Sequence, residues 1–202
     1  MAGTPRSAAA LPRSLADAVA AETAGQRLRF VFFWRHGQPA GDGGDGGIGP
    51  GCLSQWWPEE FTAGDGRVYR SAEHYMMAHK AWLFGDEETA GRILAAGHPA
   101  EAQKLGRLVR GFDEAVWRQH RSGIVARGNA AKFAARPELR EYLLATRERV
   151  LVEASPLDRI WGIGLAADDE RAGSPARWRG LNLLGFALMA ARDALAADAA
   201  AR

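Results

Sequence analysis

The amino-acid sequence predicts an α+β fold in which helices predominate and strands are few and short. Helical patterns run from about residue 71 to about residue 144, and a closing helix with one apolar face is expected over Leu183–Ala197. Leu28–Trp34 and Val150–Ala154 are rich in aromatic and β-branched residues, which favour strands. The 202 residues, of which 47% are hydrophobic, are enough for one substantial domain with a core.

The segments before the helical region carry signals for an extension, a loop and a turn. Residues 1–26 are rich in Ala, Ser and Arg, which predicts a flexible extension with a short helix over Ser14–Ala24, ahead of a domain of residues 27–198. The glycine-rich stretch Gly41–Gly51 is predicted to be an exposed loop. It lacks the Gly-Lys-Ser/Thr ending of a P-loop, so no phosphate-binding role is expected. Arg67–Arg70 is predicted to be a short extended piece, because a turn signal precedes it.

Start and stop signals divide the helical region. Ser71 is predicted to cap the first helix, so Glu73 falls in its first turn, where the helix dipole favours an acid. Asp86 is expected to cap the second helix, and the third begins at Pro99 and runs to about residue 109. Pro137 places a break or a new start in the pattern that follows.

Composition excludes several functional classes. The 26 Lys and Arg nearly balance the 24 Asp and Glu, giving a net charge of +2, which suits an anionic substrate but does not by itself favour nucleic acid. Cys52 is the single cysteine, so no internal disulfide forms, and no Cys/His spacing resembles a zinc site. We expect no metal and no cofactor, a reducing cytoplasmic setting, and no membrane span, because no run of eighteen apolar residues occurs.

An acid and an amine share one face of the helix that follows Ser71. Glu73, Met77 and Lys80 are spaced i, i+4 and i+7, so a helix stacks them in one stripe. Such a pair is usually solvated and contributes a few tenths of a kcal/mol, on the order of 0.2–0.5. On a buried face it indicates either an ion pair or a reactive site with shifted pKa values.

An ordered series of segments along the chain resembles the NADAR family, the YbiA-like proteins. No single motif is diagnostic, but the order is specific, and the match spans roughly residues 28–196. The series consists of Ser71-Ala72-Glu73-His74-Tyr75 with Lys80, Leu105-Gly106-Arg107, Lys132-Phe133, Leu143-Leu144-Ala145-Thr146, Leu151-Val152-Glu153, Asp158-Arg159-Ile160-Trp161-Gly162 and Asn182-Leu183-Leu184-Gly185.

The resemblance implies a hydrolase that acts on N-glycosyl bonds. Its implied substrate is a small ribosylamino-pyrimidine phosphate of early riboflavin synthesis, cleaved between ribose 5-phosphate and the exocyclic amine. Other family members remove ADP-ribose from guanine in nucleic acid, so an ADP-ribosyl-guanine hydrolase is one alternative. The other alternative is a module that binds ADP-ribose without cleaving it.

Three residues that match the family's motifs are predicted to be catalytic: Glu73, Lys80 and Asp158. Glu73 is the general acid, and a neutral Lys80 can exchange into the sugar imine to give a Schiff base, with Lys132 as a competing amine. In the other mechanism a water molecule, activated by Glu73 or Asp158, attacks the sugar directly. The competing interpretation of Asp158 is a turn residue after Pro156.

Five residues are predicted to bind the substrate: Trp56, Arg107, Lys132, Trp161 and Asn182. The two tryptophans are expected to stack on the base, although most tryptophans are core residues. Arg107 suits a phosphate because its guanidinium can bind two oxygens at once, although it is equally typical of a protein surface. Asn182 either caps the closing helix or contacts the substrate.

Overall fold

Seven helices and four short strands make up the part of the chain that the computed structural model describes, residues 10–34 and 48–201. Two 3-10 turns, Pro50–Leu53 and Pro175–Arg177, accompany them. The predicted mainly helical α+β domain is confirmed. The helices are α1 (Leu15–Thr23), α2 (Ala72–Leu83), α3 (Glu87–Ala95), α4 (Pro99–Gly106), α5 (Glu114–Ala134), α6 (Pro137–Ala145) and α7 (Leu183–Ala200), and the strands are β1 (Phe30–Phe33), β2 (Phe61–Thr62), β3 (Val68–Tyr69) and β4 (Val150–Glu153).

The described strands form two separate pairs. β1 and β4 lie parallel, in a register that runs from Phe30 opposite Val150 to Phe33 opposite Glu153. β2 and β3 form a short antiparallel hairpin. The first three residues of β4 are apolar and fully buried, as is typical of a parallel strand covered on both faces. Glu153 therefore stands at the carboxyl end of the most deeply buried strand.

Helix α2 lies at the centre of the helical layer and contacts α3, α4 and α5, while α7 packs against both α5 and β4. The approach of α4 to α2 depends on Gly106, because a Cβ atom there would lie 2.1 Å from the sulfur of Met77. This close approach brings the last turn of α4 beside the face of α2 that carries Glu73 and Lys80.

The predicted helix signals are confirmed at α2, α3 and α6. The Ser71 side chain accepts from the His74 backbone N–H, and Asp86 Oδ1 accepts from the Thr89 N–H at 3.2 Å. α6 begins at Pro137. α4 ends at Gly106, three residues before the predicted residue 109. The Arg107 N–H closes its last turn by donating to the carbonyl groups of Gln103 and Lys104.

The N-terminal segment is packed where the structure describes it. Ala18 of α1 is fully buried, and α1 lies against the turn Pro175–Arg177. The Ala176 backbone N–H donates to Glu22 Oε2 at 2.9 Å, which fixes the end of the helix. Residues 1–9 of the predicted extension lie outside the described residues, and the domain boundary at residue 26 stays a prediction.

Most of the predicted glycine loop, residues 41–47, also lies outside the described residues, and its end forms the 3-10 turn Pro50–Leu53. Within the described residues, every helix is too short or too polar to cross a membrane. The cytoplasmic setting stays a prediction.

Candidate active site

A cavity of about 380 Å³ opens where the carboxyl end of β4 meets α2, α4 and the turn after Pro50–Leu53. Six of the eight predicted site residues line it: Trp56, Glu73, Lys80, Arg107, Asp158 and Trp161. The remaining lining residues are Ser54, Gln55, Met76, Met77, Gln103, Gly106, Trp117, Glu153, Ile160 and Leu184. The cavity thus gathers three carboxyl groups, an amine, a guanidinium and three indole rings from segments far apart in the sequence.

Two cavities of larger volume lack this combination of ionisable and aromatic side chains. One, of about 580 Å³, lies between the β2–β3 hairpin and α5 and has Glu60 as its single ionisable side chain. The other, of about 570 Å³, lies between α5 and α7 and is lined by small and apolar residues together with the ion pair of Arg13 and Asp193. The smaller cavity is therefore the candidate active site.

Glu73 is placed in the cavity wall by the start of α2. The Ser71 cap begins the helix two residues earlier, and the Glu73 backbone N–H donates to the Gln55 carbonyl at 3.0 Å. The side chain is only 2% exposed. Its Oε1 has no hydrogen-bond partner among the described residues, although Glu73 lines the cavity.

The environment of Glu73 favours its protonated form. Burial raises the pKa of Glu73 to about 8, and the negative charge of Asp158 acts in the same direction. Hydrogen bonds from the side chains of Gln103 and Trp56, and the positive charge of Arg107, act in the opposite direction. At neutral pH this carboxyl group holds a proton that it can donate into the cavity.

Lys80 lies two turns further along the same face of α2. Its Nζ donates to the Gly106 carbonyl oxygen at 2.7 Å and lies 4.2 Å from the centre of the Phe112 ring. The carbonyl and the ring favour the ammonium form, whereas burial lowers the pKa of Lys80 below its ordinary value. No ion pair joins Lys80 to Glu73 among the described side chains, so the stripe is not a simple salt bridge.

Asp158 forms the predicted turn and also lines the cavity, while its catalytic role stays a prediction. Its Oδ1 accepts from the backbone N–H groups of Ile160 and Trp161, each at 2.8 Å, so it shapes the turn after β4. That turn sets the half-buried Trp161 in the cavity wall. Because Asp158 also lines the cavity, its charge acts directly on Glu73.

Trp56 forms another part of the wall, and Lys132 supports it from behind. Trp56 is half-buried, with its ring edge-on to His98 at 5.9 Å. Lys132 is fully buried, does not line the cavity, and donates from Nζ to the carbonyl oxygens of Cys52 and Ser54 at 2.6 and 2.8 Å. Burial lowers the pKa of Lys132 to about 7. The structure thus places this predicted substrate ligand against the backbone of the segment that carries Trp56.

Asn182 also lies outside the cavity lining. It is fully buried in left-handed geometry (φ 54°), and its side chain does not cap α7. Instead its Oδ1 accepts from the Glu153 N–H at 3.0 Å and its Nδ2 donates to the Leu151 carbonyl at 2.9 Å. These groups lie on the edge of β4 that faces away from β1. The side chain of Asn182 therefore holds the end of β4 and does not form the predicted cap of α7.

Arg107 is exposed at the mouth of the cavity, immediately after α4. Its guanidinium donates to Gln103 Oε1 at 3.1 Å, which orients Gln103, itself a hydrogen-bond partner of Glu73. The position leaves most of the guanidinium facing solvent, where an anionic group of a ligand can reach it.

Glu153 is an ionisable residue of the cavity wall that the sequence analysis did not predict for the site. It lines the cavity, and burial, together with the charges of Asp158 and Glu73, raises the pKa of Glu153 to about 8. The sequence does offer one signal for Glu153: it is the polar residue at the end of an apolar strand. Ligands of parallel sheets bind at the carboxyl ends of the strands.

The NADAR domain family model matches residues 32–196 of the chain. This chain belongs to the NADAR family. An N-glycosidase of Acanthamoeba polyphaga mimivirus is 41% identical over 169 residues, which cover 82% of this chain and 95% of that protein. The chloroplastic riboflavin biosynthesis protein PYRR of Zea mays is 35% identical over 156 residues, 71% of this chain and 23% of that protein. The NMR structure of Escherichia coli YbiA matches with a TM-score of 0.64 and 25% identity, over 87% of this chain and 90% of that one.

These comparisons confirm the predicted NADAR family and the predicted enzyme class, a hydrolase of N-glycosyl bonds. The cavity of this NADAR domain holds a carboxyl group with a raised pKa, at Glu73, together with the amine of Lys80 and three indole rings.

Proposed function

We propose that this NADAR protein hydrolyses the bond between ribose 5-phosphate and the exocyclic amine of an early riboflavin-pathway pyrimidine. The observation that carries the proposal is the buried Glu73 carboxyl group, whose pKa is raised to about 8 in the cavity wall. A carboxylic acid that keeps its proton at neutral pH can protonate the ring oxygen of the sugar or the leaving nitrogen.

The dimensions and lining of the cavity suit a small nucleotide-like molecule. A volume of about 380 Å³ falls within the ~300–1,000 Å³ range of small-molecule sites. Trp56 and Trp161 supply flat surfaces for a pyrimidine, and Arg107 at the mouth supplies a fork of donors for a 5-phosphate. We place the ribose between them, beside Glu73.

The choice of a riboflavin-pathway pyrimidine over guanine in nucleic acid is supported by two observations. One relative is named a riboflavin biosynthesis protein, and the match to it covers 71% of this chain. The net charge of +2 is small for a protein that tracks a polyanionic strand. ADP-ribosylated nucleic acid is therefore the rival substrate in the test below.

Two reaction routes use the same groups. In the first, Glu73 protonates the ring oxygen, the sugar opens to an imine, and neutral Lys80 replaces the pyrimidine amine at C1 before water hydrolyses the resulting Schiff base. Burial favours the neutral amine that this route needs. In the second, water adds to C1 directly while Glu73 protonates the departing nitrogen.

The test compares two substrates with the same protein. Freshly prepared ribosylamino-pyrimidine phosphate and ADP-ribosylated guanosine DNA are incubated separately, and release of ribose 5-phosphate or ADP-ribose is followed by NMR. Preferential release of ribose 5-phosphate supports the proposal. Preferential release of ADP-ribose identifies a nucleic-acid hydrolase, and tight binding of ADP-ribose without either product identifies a binding module.

A further inference from the structure

Two carboxyl oxygens in the cavity have no hydrogen-bond partner among the described residues: Oε1 of Glu73 and Oε2 of Glu153. They come from different elements, the first turn of α2 and the last residue of β4. A buried polar atom without a partner is costly and rare in folded proteins. Two of them on residues that line one cavity indicate groups that are completed by a bound molecule.

The backbone of Glu153 is fixed on both sides. Its N–H donates to Asn182 Oδ1 at 3.0 Å, and its carbonyl accepts from the Ile163 N–H at 2.9 Å. Asn182 is held in turn by the close packing of α7 on β4, since a Cβ atom on Gly185 would lie 2.0 Å from the Leu151 carbonyl oxygen. Glu153 therefore lines the cavity from a firmly held backbone, as a reacting group requires.

We propose that Glu153 is the second catalytic carboxyl group of this site, the base that accepts a proton from the water molecule that adds to the sugar C1. The inference rests on the proposed function and deepens it. As the water oxygen bonds to C1, one O–H bond breaks and its proton passes to Glu153. On the direct route the C1–N bond breaks at the same time, and the nitrogen keeps the electron pair and receives the proton of Glu73. Transfer of one proton from Glu153 back to Glu73 restores the starting state.

The surroundings of the pair hinder ionisation of both carboxyl groups at once. Burial raises the pKa values of Glu73 and Glu153 to about 8 each, and the negative charge of Glu73 adds to the shift at Glu153. Asp158 from the turn after β4 adds to this repulsion, whereas Arg107 from α4 opposes it at Glu73. Lys80 from α2 is the remaining charged group in the cavity wall. The singly ionised pair, which supplies an acid and a base together, is therefore populated as the pH rises toward about 8.

The test measures kcat/KM for ribose 5-phosphate release between pH 5 and pH 9 in the wild type and in Glu153→Gln, with Glu141→Gln on the exposed face of α6 as the matched control. We expect a bell-shaped profile for the wild type and the control. In Glu153→Gln, kcat/KM should fall by about 10²–10⁴-fold. Its pH profile should also lack the decline at low pH, which reports protonation of the base. The Tm of each variant is recorded beside its rate.

A second variant separates chemistry from folding. In Glu153→Ala, added formate should restore part of the rate by taking the place of the missing carboxylate, whereas it should not restore Asn182→Ala, because Asn182 positions Glu153 without touching the substrate. A Glu153→Gln protein with wild-type rate and pH profile overturns the inference alone, as does a Glu153→Ala protein that formate fails to restore. A wild type that acts on neither substrate overturns the proposed function and this inference together.

Discussion

Replacing Glu73 by glutamine should make the protein more stable near neutral pH and should change how its stability depends on pH. Glutamine keeps the shape of the side chain but cannot ionise. In the wild type, the pKa of Glu73 is about 8 in the folded protein against an ordinary value of 4.5. The folded state therefore binds more protons than the unfolded chain between these values, so Glu73 lowers the free energy of unfolding as the pH rises through that window.

The size of the effect follows from the shift. A difference of one bound proton changes the free energy of unfolding by about 1.4 kcal/mol for each pH unit. Over two units, from pH 5.5 to pH 7.5, the wild type should lose up to about 2.7 kcal/mol relative to Glu73→Gln. Because Glu153 titrates in the same cavity and interacts with Glu73, part of this loss is shared, and about 1–2.7 kcal/mol is the expected range.

The assay is urea unfolding followed by far-UV circular dichroism at three pH values across that window. Wild type, Glu73→Gln and the surface control Glu141→Gln are compared at each pH, so contributions from His74, His79 and Lys132 cancel in the differences. The gap between Glu73→Gln and wild type should widen as the pH rises, while the control stays parallel to wild type. A constant gap for Glu73→Gln would show that the carboxyl group is ionised in the folded protein, which would refute the argument for a buried acid.

Three further predictions concern Lys132, which lies behind the cavity wall, and the two basic residues that line the cavity, Lys80 and Arg107. Lys132→Met leaves the carbonyl groups of Cys52 and Ser54 without their hydrogen-bond donor. The free energy of unfolding should therefore fall by about 1–3 kcal/mol for each carbonyl group, measured by thermal unfolding. An unchanged Tm would contradict the supporting role of Lys132. On the Schiff-base route, borohydride added during turnover should trap a sugar adduct on the wild type but not on Lys80→Met, as intact-mass spectrometry would show; no adduct on the wild type would favour direct attack by water. An adduct on Lys80→Met would exclude that lysine as the amine. Arg107→Gln should raise KM for the phosphorylated substrate about 10-fold or more and leave KM for its dephosphorylated form unchanged.

The parts of the fold that the sequence predicts correctly depend on interactions within a few residues. Ser71 and Asp86 cap helices through bonds to backbone N–H groups three residues away, and Pro137 begins a helix because its ring prevents continuation of the one before. The apolar run of β4 likewise predicts a buried strand by itself. Such signals place the elements but do not say which surfaces face one another.

The site is less predictable because its contacts join distant segments. Lys132 bonds to backbone 80 and 78 residues earlier in the chain, and no local pattern distinguishes such a buried lysine from a solvated one. Asn182 precedes a helix, so a cap is the natural expectation, yet its side chain pairs with β4, 31 and 29 residues earlier. Glu153 becomes recognisable only when β4 ends beside Glu73. Six of the eight predicted residues line the cavity, although their segments lie far apart in the chain.

The most direct test of the central claim is a side-by-side time course of ribose 5-phosphate release by wild type and Glu73→Gln, with both proteins shown to be folded by circular dichroism. If the buried Glu73 carboxylic acid drives cleavage of the C–N bond, the wild type releases the sugar phosphate and Glu73→Gln does so about 10²–10⁴-fold more slowly. Release at the wild-type rate by folded Glu73→Gln would contradict the claim.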